Sequence, residues 1–71
     1  MSDIGRRIAE RRTAAVLSQG DLAKRAGVAV ITINRIENGH GDDPRPSTVR
    51  KIAKALEVDP RWLMFGEMSD G

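Results

Sequence analysis

LSQGDLAKRAGVAVITINRIENG, residues Leu17 to Gly39, is the stretch on which the reading of this chain turns. Ser18 is a candidate cap for an amphipathic segment at 19–26, where Leu22, Ala23 and Ala26 fall on one face at helical spacing. Gly27 follows at the point where a chain leaving a helix needs positive φ to turn sharply. A second segment, 29–37, carries Ile33 and Ile36 inward behind Val28 and closes on Asn38-Gly39, a second stop signal. The spacing predicts two short helices joined by a tight turn. One local signal opposes this: Val30, Ile31, Thr32 and Ile33 are four consecutive β-branched residues, which read alone suggest a strand. No other stretch offers such a strand a partner, and propensity is the weaker signal.

The flanks extend the helical pattern. A first helix is predicted over about 3–14, capped by Ser2 or Asp3, with Ile4, Ile8 and Ala15 towards the core. The loop 40–46 holds Gly41, two aspartates and two prolines. Ser47 is the expected cap of a fourth helix, in which Val49, Ile52, Ala53 and Leu56 stand at i, i+3, i+4 and i+7. Asp59-Pro60 opens a short last helix with Trp62 and Leu63 inward, and Gly66 ends it. The fold class is therefore all-α, five short helices around one core.

At 71 residues there is room for one small domain, and at 3% aromatic content its core must be aliphatic. No cysteine is present, which excludes disulfides, thiolate metal sites and cysteine nucleophiles. His40 stands between two glycines without a second ligand nearby, so neither a metal nor a cofactor is expected. No nucleophile–base pairing or phosphate-binding glycine loop points to an enzyme. Neither an export signal nor a membrane span is visible, and a cytoplasmic protein is expected. The net charge is only +2, but the charges are segregated. From Arg6 to Arg35 seven basic residues face two acids, whereas from Glu57 onward four acids face one arginine. A basic half suits phosphate neutralisation, although solvated helices are often arginine-rich too.

Two helices across a glycine-containing turn form the arrangement that presents one helix to a DNA major groove. Arg12, LSQxDLA at 17–23, AGV at 26–28, TIxRIENG at 32–39, RPST at 45–48, KIAKAL at 51–56 and WLMFGE at 62–67 resemble the Cro/repressor (Xre-type) helix-turn-helix family. The resemblance runs from about Ile4 to Glu67. It implies a lambda-repressor-like DNA-binding domain over residues 1–66; the tail after Gly66, 67–71, is expected to fray as a chain terminus. It also implies a sequence-specific regulator of double-stranded DNA, expected to be a repressor acting as a homodimer on a palindromic operator. The alternative is a protein-interaction module that keeps this fold.

The resemblance assigns roles to particular positions. Gln19 would reach the DNA backbone and brace a base-contacting side chain, and Arg12 would pair with Glu37. Ala29, Val30, Ile31, Thr32, Asn34 and Arg35 would face the groove, with Arg35 suited to guanine and Asn34 to adenine or a phosphate. Asn38 would meet phosphate or share the left-handed helix exit with Gly39. Arg45 would grip backbone or minor groove, and the acids Asp42 and Asp43 would point away from it. Met64 and Phe65 would dimerise, or else close the small core around Trp62.

Three departures from the family pattern stand out. Ala29 replaces the usual Ser or Thr cap, and the apolar pair Val30 and Ile31 replaces polar residues. That pair would touch thymine methyl groups, or mark a protein-binding patch, or send one member into the core. Val16 and Glu57 stand where relatives have glycine, which predicts turns of altered shape, since positive φ is unfavourable for a β-branched residue.

Overall fold

Each predicted helix forms, and its apolar stripe finds a neighbour. In the computed structural model, which describes residues 3–40 and 44–66, the elements are α1 (Asp3–Ala14), α2 (Gln19–Ala26), α3 (Val30–Glu37), α4 (Pro46–Leu56) and α5 (Pro60–Phe65). No strand is present among the described residues, so the β-branched run at 30–33 is helical. Burial of Ile33 and Ile36 outweighs its local preference. α2 packs on α3 and α4, α1 on α3 and α5, and α4 on α5. Ile8, Leu22, Ile33, Val49, Ile52 and Leu63 are fully buried at the centre, and no aromatic side chain joins them. Trp62 lies half-buried at the edge of this core, with the Arg11 guanidinium 5.9 Å from its ring centroid. Among the described residues no helix is long and apolar enough to cross a membrane.

Several helix ends differ from expectation. Ala15 is exposed rather than buried, because α1 stops at Ala14 and the chain turns away there. Pro46 is the first residue of α4 rather than part of the loop, so Ser47 lies inside the helix. Arg45 occupies the cap position in extended backbone and makes no side-chain cap bond. A proline suits that first position, since its missing N–H would have had no helical partner. Ala29 likewise sits in extended backbone as the cap of α3, with no side-chain oxygen to offer. The expected cap Ser2, the loop acids Asp42 and Asp43, and the expected frayed tail at 67–71 lie outside the described residues.

Four helices close in the same way. After α1, α2, α3 and α4 a left-handed residue lets the next N–H reach back five positions: Leu17 to Arg12, Val28 to Ala23, His40 to Arg35 and Val58 to Ala53. Glycine supplies that residue at Gly27 and Gly39, but Val16 (φ 59°) and Glu57 (φ 60°) supply it after α1 and α4. The expectation of reshaped turns is thus corrected. The backbone keeps the left-handed exit and Val16 takes the unfavourable conformation, held by the Leu17–Arg12 bond and by Arg12 Nη1 donating to the Leu17 carbonyl at 2.8 Å. Asn38 does not share the left-handed exit, since its φ is −89°.

Val16 is also 88% exposed, so its side chain gains little from burial. Left-handed backbone costs an L-residue about 1–2 kcal/mol, while glycine's extra unfolded freedom costs about 0.5–1 kcal/mol. Val16→Gly should therefore raise Tm by a few degrees in a thermal melt followed by circular dichroism. A lower Tm would show that this turn is not strained.

Candidate functional site

The site is built on α2 and α3, and α2 is anchored at its start. Ser18 Oγ accepts the Asp21 N–H at 2.9 Å, and Asp21 Oδ2 accepts the Ser18 N–H at 3.0 Å. The Ser18 backbone N–H and, after it, the Ser18 hydroxyl hold the Asp21 carboxyl below its usual range. They also set the direction of the first turn, from which Gln19 projects.

Behind α3, Arg12 and Glu37 form a two-pronged pair. Arg12 Nε donates to Glu37 Oε2 at 2.7 Å and Nη2 to Oε1 at 3.0 Å. The Glu37 side chain is only 6% exposed and that of Arg12 19%, so water screens the pair weakly. The bonded carboxylate pushes the Arg12 pKa upward, against the opposing effect of burial. Because the same guanidinium donates to the Leu17 carbonyl, one side chain ties α1, the turn after it and the end of α3 together.

Three amides continue from this pair to the surface. Gln19 Nε2 donates to Glu37 Oε1 at 2.9 Å, Asn34 Nδ2 to Gln19 Oε1 at 3.2 Å, and Asn38 Nδ2 to Asn34 Oδ1 at 3.2 Å. The structure therefore brings Arg12, Gln19, Asn34 and Asn38 into one hydrogen-bonded chain through Glu37. The family resemblance anticipated the Arg12–Glu37 pair and a bracing role for Gln19, but not the Gln19–Glu37 bond or the link from Asn34 to Asn38, whose signal is their i, i+4 spacing on α3.

The outward side of α3 carries the remaining predicted residues. Ala29, Val30, Ile31 and Arg35 are exposed, and Thr32 is half-buried. The possibility that Val30 or Ile31 turns into the core is excluded. They are 51% and 58% exposed, because Ile33 and Ile36 fill the inward positions and Val28 packs beside them. Arg45 is exposed at the start of α4, outside the amide chain. Met64 and Phe65 are exposed on α5, which packs on α1 and α4. Closure of the core falls to Leu63 instead. Arg7 fixes the end of α5 by donating to the carbonyls of Leu63 at 2.9 Å and Met64 at 3.0 Å.

A helix-turn-helix family model matches residues 8–63, with α2, the Gly27 turn and α3 at its centre. The chain belongs to the helix-turn-helix family. Its branch is the Cro/repressor (Xre) type, a non-enzymatic, DNA-binding family. The helix-turn-helix chain is 39% identical over 64 residues to RghRB, an uncharacterized HTH-type transcriptional regulator of Bacillus subtilis strain 168. That alignment takes in 90% of this chain but 46% of RghRB, and this chain spans about half the length of the curated relatives it matches. The P22 c2 repressor in complex with a synthetic operator superposes with a TM-score of 0.82 at 30% identity, over 90% of this chain and 96% of that one. SinR of Bacillus subtilis in complex with DNA gives 0.81 at 32% identity, over 84% and 95%.

Proposed function

We propose that this helix-turn-helix chain is the DNA-reading unit of a transcriptional regulator, a repressor that places α3 in the major groove of double-stranded DNA. The carrying observation is an exposed α3 face held from behind by the Arg12–Glu37 pair and the Gln19 amide. Such a backing fixes the angle of the helix before DNA arrives, which reduces the ordering needed on binding. In this reading Arg35 reads guanine through its forked N–H groups, and Gln19, Asn38 and Arg45 meet the backbone. Val30 and Ile31 supply no hydrogen bonds and fit thymine methyl groups, so the bound site should carry thymine at those steps. A homodimer through Met64 and Phe65 would set two such helices about 34 Å apart on a palindromic operator.

Binding-site selection from random duplexes at near-physiological salt tests this reading. The expected product is an inverted repeat with half-sites one helical turn apart and thymine opposite the Val30–Ile31 pair. Affinity should fall with log[salt] with a slope of about 0.9 per phosphate contacted. Salt-insensitive binding to a protein with no selected motif would replace DNA by a protein partner for the Val30–Ile31 face. For the dimer, burying a phenylalanine contributes about 1.5–3 kcal/mol, so Phe65→Glu should weaken self-association at least about tenfold with helicity retained. Unchanged sedimentation would refute that contact.

A further inference from the structure

The amide chain has a direction, and one residue sets it. The Glu37 carboxylate offers only acceptors, so an amide oxygen turned towards it would be repelled. Gln19 must therefore present its nitrogen to Glu37, 2.9 Å away, and its oxygen to Asn34. Asn34 must answer with its own nitrogen, which leaves its oxygen for Asn38 Nδ2. Flipping any one amide sets two acceptors or two donors face to face. The polarity of a nearly buried carboxylate is thereby passed through three side chains to the surface.

We infer that Glu37 polarises this relay so that Asn34 meets DNA as a hydrogen-bond donor, through one spare N–H, and does not recognise adenine. The inference rests on the DNA-binding reading above and decides between the two roles open to Asn34. Gripping adenine takes the amide oxygen and nitrogen together, on N6–H and N7. In the relay the Asn34 oxygen is turned to Asn38 and one of its N–H groups to Gln19, at 3.2 Å each. A two-pronged grip must set the one spare N–H beside an oxygen that Asn38 already holds, and drawing that oxygen away from Asn38 forfeits about three- to tenfold in affinity. One Nδ2 hydrogen remains unspent, and it suits a lone acceptor oxygen, either of a phosphate or of a guanine or thymine keto group.

The test compares the intact chain with Asn34→Ala and Asn38→Ala on selected duplexes. Asn34→Ala should weaken binding about three- to tenfold. A loss uniform across sequences assigns the acceptor to a phosphate, and a loss confined to one guanine or thymine assigns it to a base; both support the donor role. An adenine required by the wild type and released by Asn34→Ala overturns it. Asn38→Ala frees the Asn34 oxygen and should introduce a preference for adenine at the facing base pair. Asn38 is exposed with ordinary helical backbone, so alanine is tolerated there. In the DNA-free protein the same variant should move the Asn34 13Cγ signal upfield as its carbonyl loses a donor. An unmoved signal in a folded protein sinks the relay, even with DNA binding intact. Wild-type failure to bind any duplex, with that shift present, overturns the DNA-binding reading and with it the role of Asn34.

Discussion

Gly5→Ala is expected to destabilise the domain by about 3 kcal/mol or more. Gly5 is buried in α1 where that helix crosses the end of α3. A Cβ at this position would overlap the Ile36 carbonyl oxygen and stand 3.0 Å from the Glu37 Cα. Both obstacles are backbone, so no side-chain rotation relieves them. The Ile36 oxygen also accepts the Gly39 N–H at 3.1 Å, so pushing it aside loosens the exit of α3. The helices would have to separate, uncovering Ile4 and Ile8 and stretching the Arg12–Glu37 pair. Helix propensity alone predicts the opposite sign, a gain of about 1 kcal/mol for glycine to alanine. A urea titration decides between them. A lower midpoint is expected, and a higher one would mean that α1 and α3 do not meet at Gly5.

Arg12→Ala should remove about 3–5 kcal/mol of stability and lower DNA affinity as well. The variant leaves the Glu37 carboxylate, at 6% exposure, with only the Gln19 amide, and also removes the bond to the Leu17 carbonyl. A buried charge that loses its partner is worse than no charge, which makes the double variant informative. Arg12→Met with Glu37→Leu should recover much of the stability, because apolar side chains of similar volume fill the gap without desolvating an ion. It should not recover DNA affinity, because the carboxylate that orients Gln19 is gone. Chemical denaturation and duplex binding, measured on the same samples, separate the two effects. Recovery of both would reduce the pair to a packing element. The raised Arg12 pKa places any pH-driven loss of this pair above the ordinary arginine range, so its contribution should be constant through neutral and mildly alkaline pH.

Much of the fold was legible because it is written locally. Leu22, Ala23 and Ala26, then Ile33 and Ile36, mark one face each, and Ser18, Gly27 and Gly39 mark starts and stops within a few residues of the helices they bound. The same local logic failed at Val16, where a residue poorly suited to positive φ nevertheless adopts it. There the turn is held by Arg12, whose guanidinium reaches back to Leu17 and across 25 positions to Glu37. Ser47 misled for a related reason: a serine near a helix start resembles a cap, but the proline before it had already begun the helix.

The site divided along the same line. Arg12, Gln19, Asn34 and Asn38 were individually visible, most of them through family resemblance rather than spacing, yet nothing in the order of residues joins them into one polarised chain. Periodicity states which face of a helix is apolar; it does not state which helix covers that face or how closely. The requirement for glycine at position 5 arises only where α1 meets the α3 backbone, and the Arg7 bond that secures α5 spans 56 positions. Five helices and their inward faces follow from side-chain pattern and backbone preference, which act over three or four residues. The bracing of α3, the direction of its amides and the strained exit at Val16 are set by contacts between segments distant in the chain, and those exist only once the core has brought the helices together.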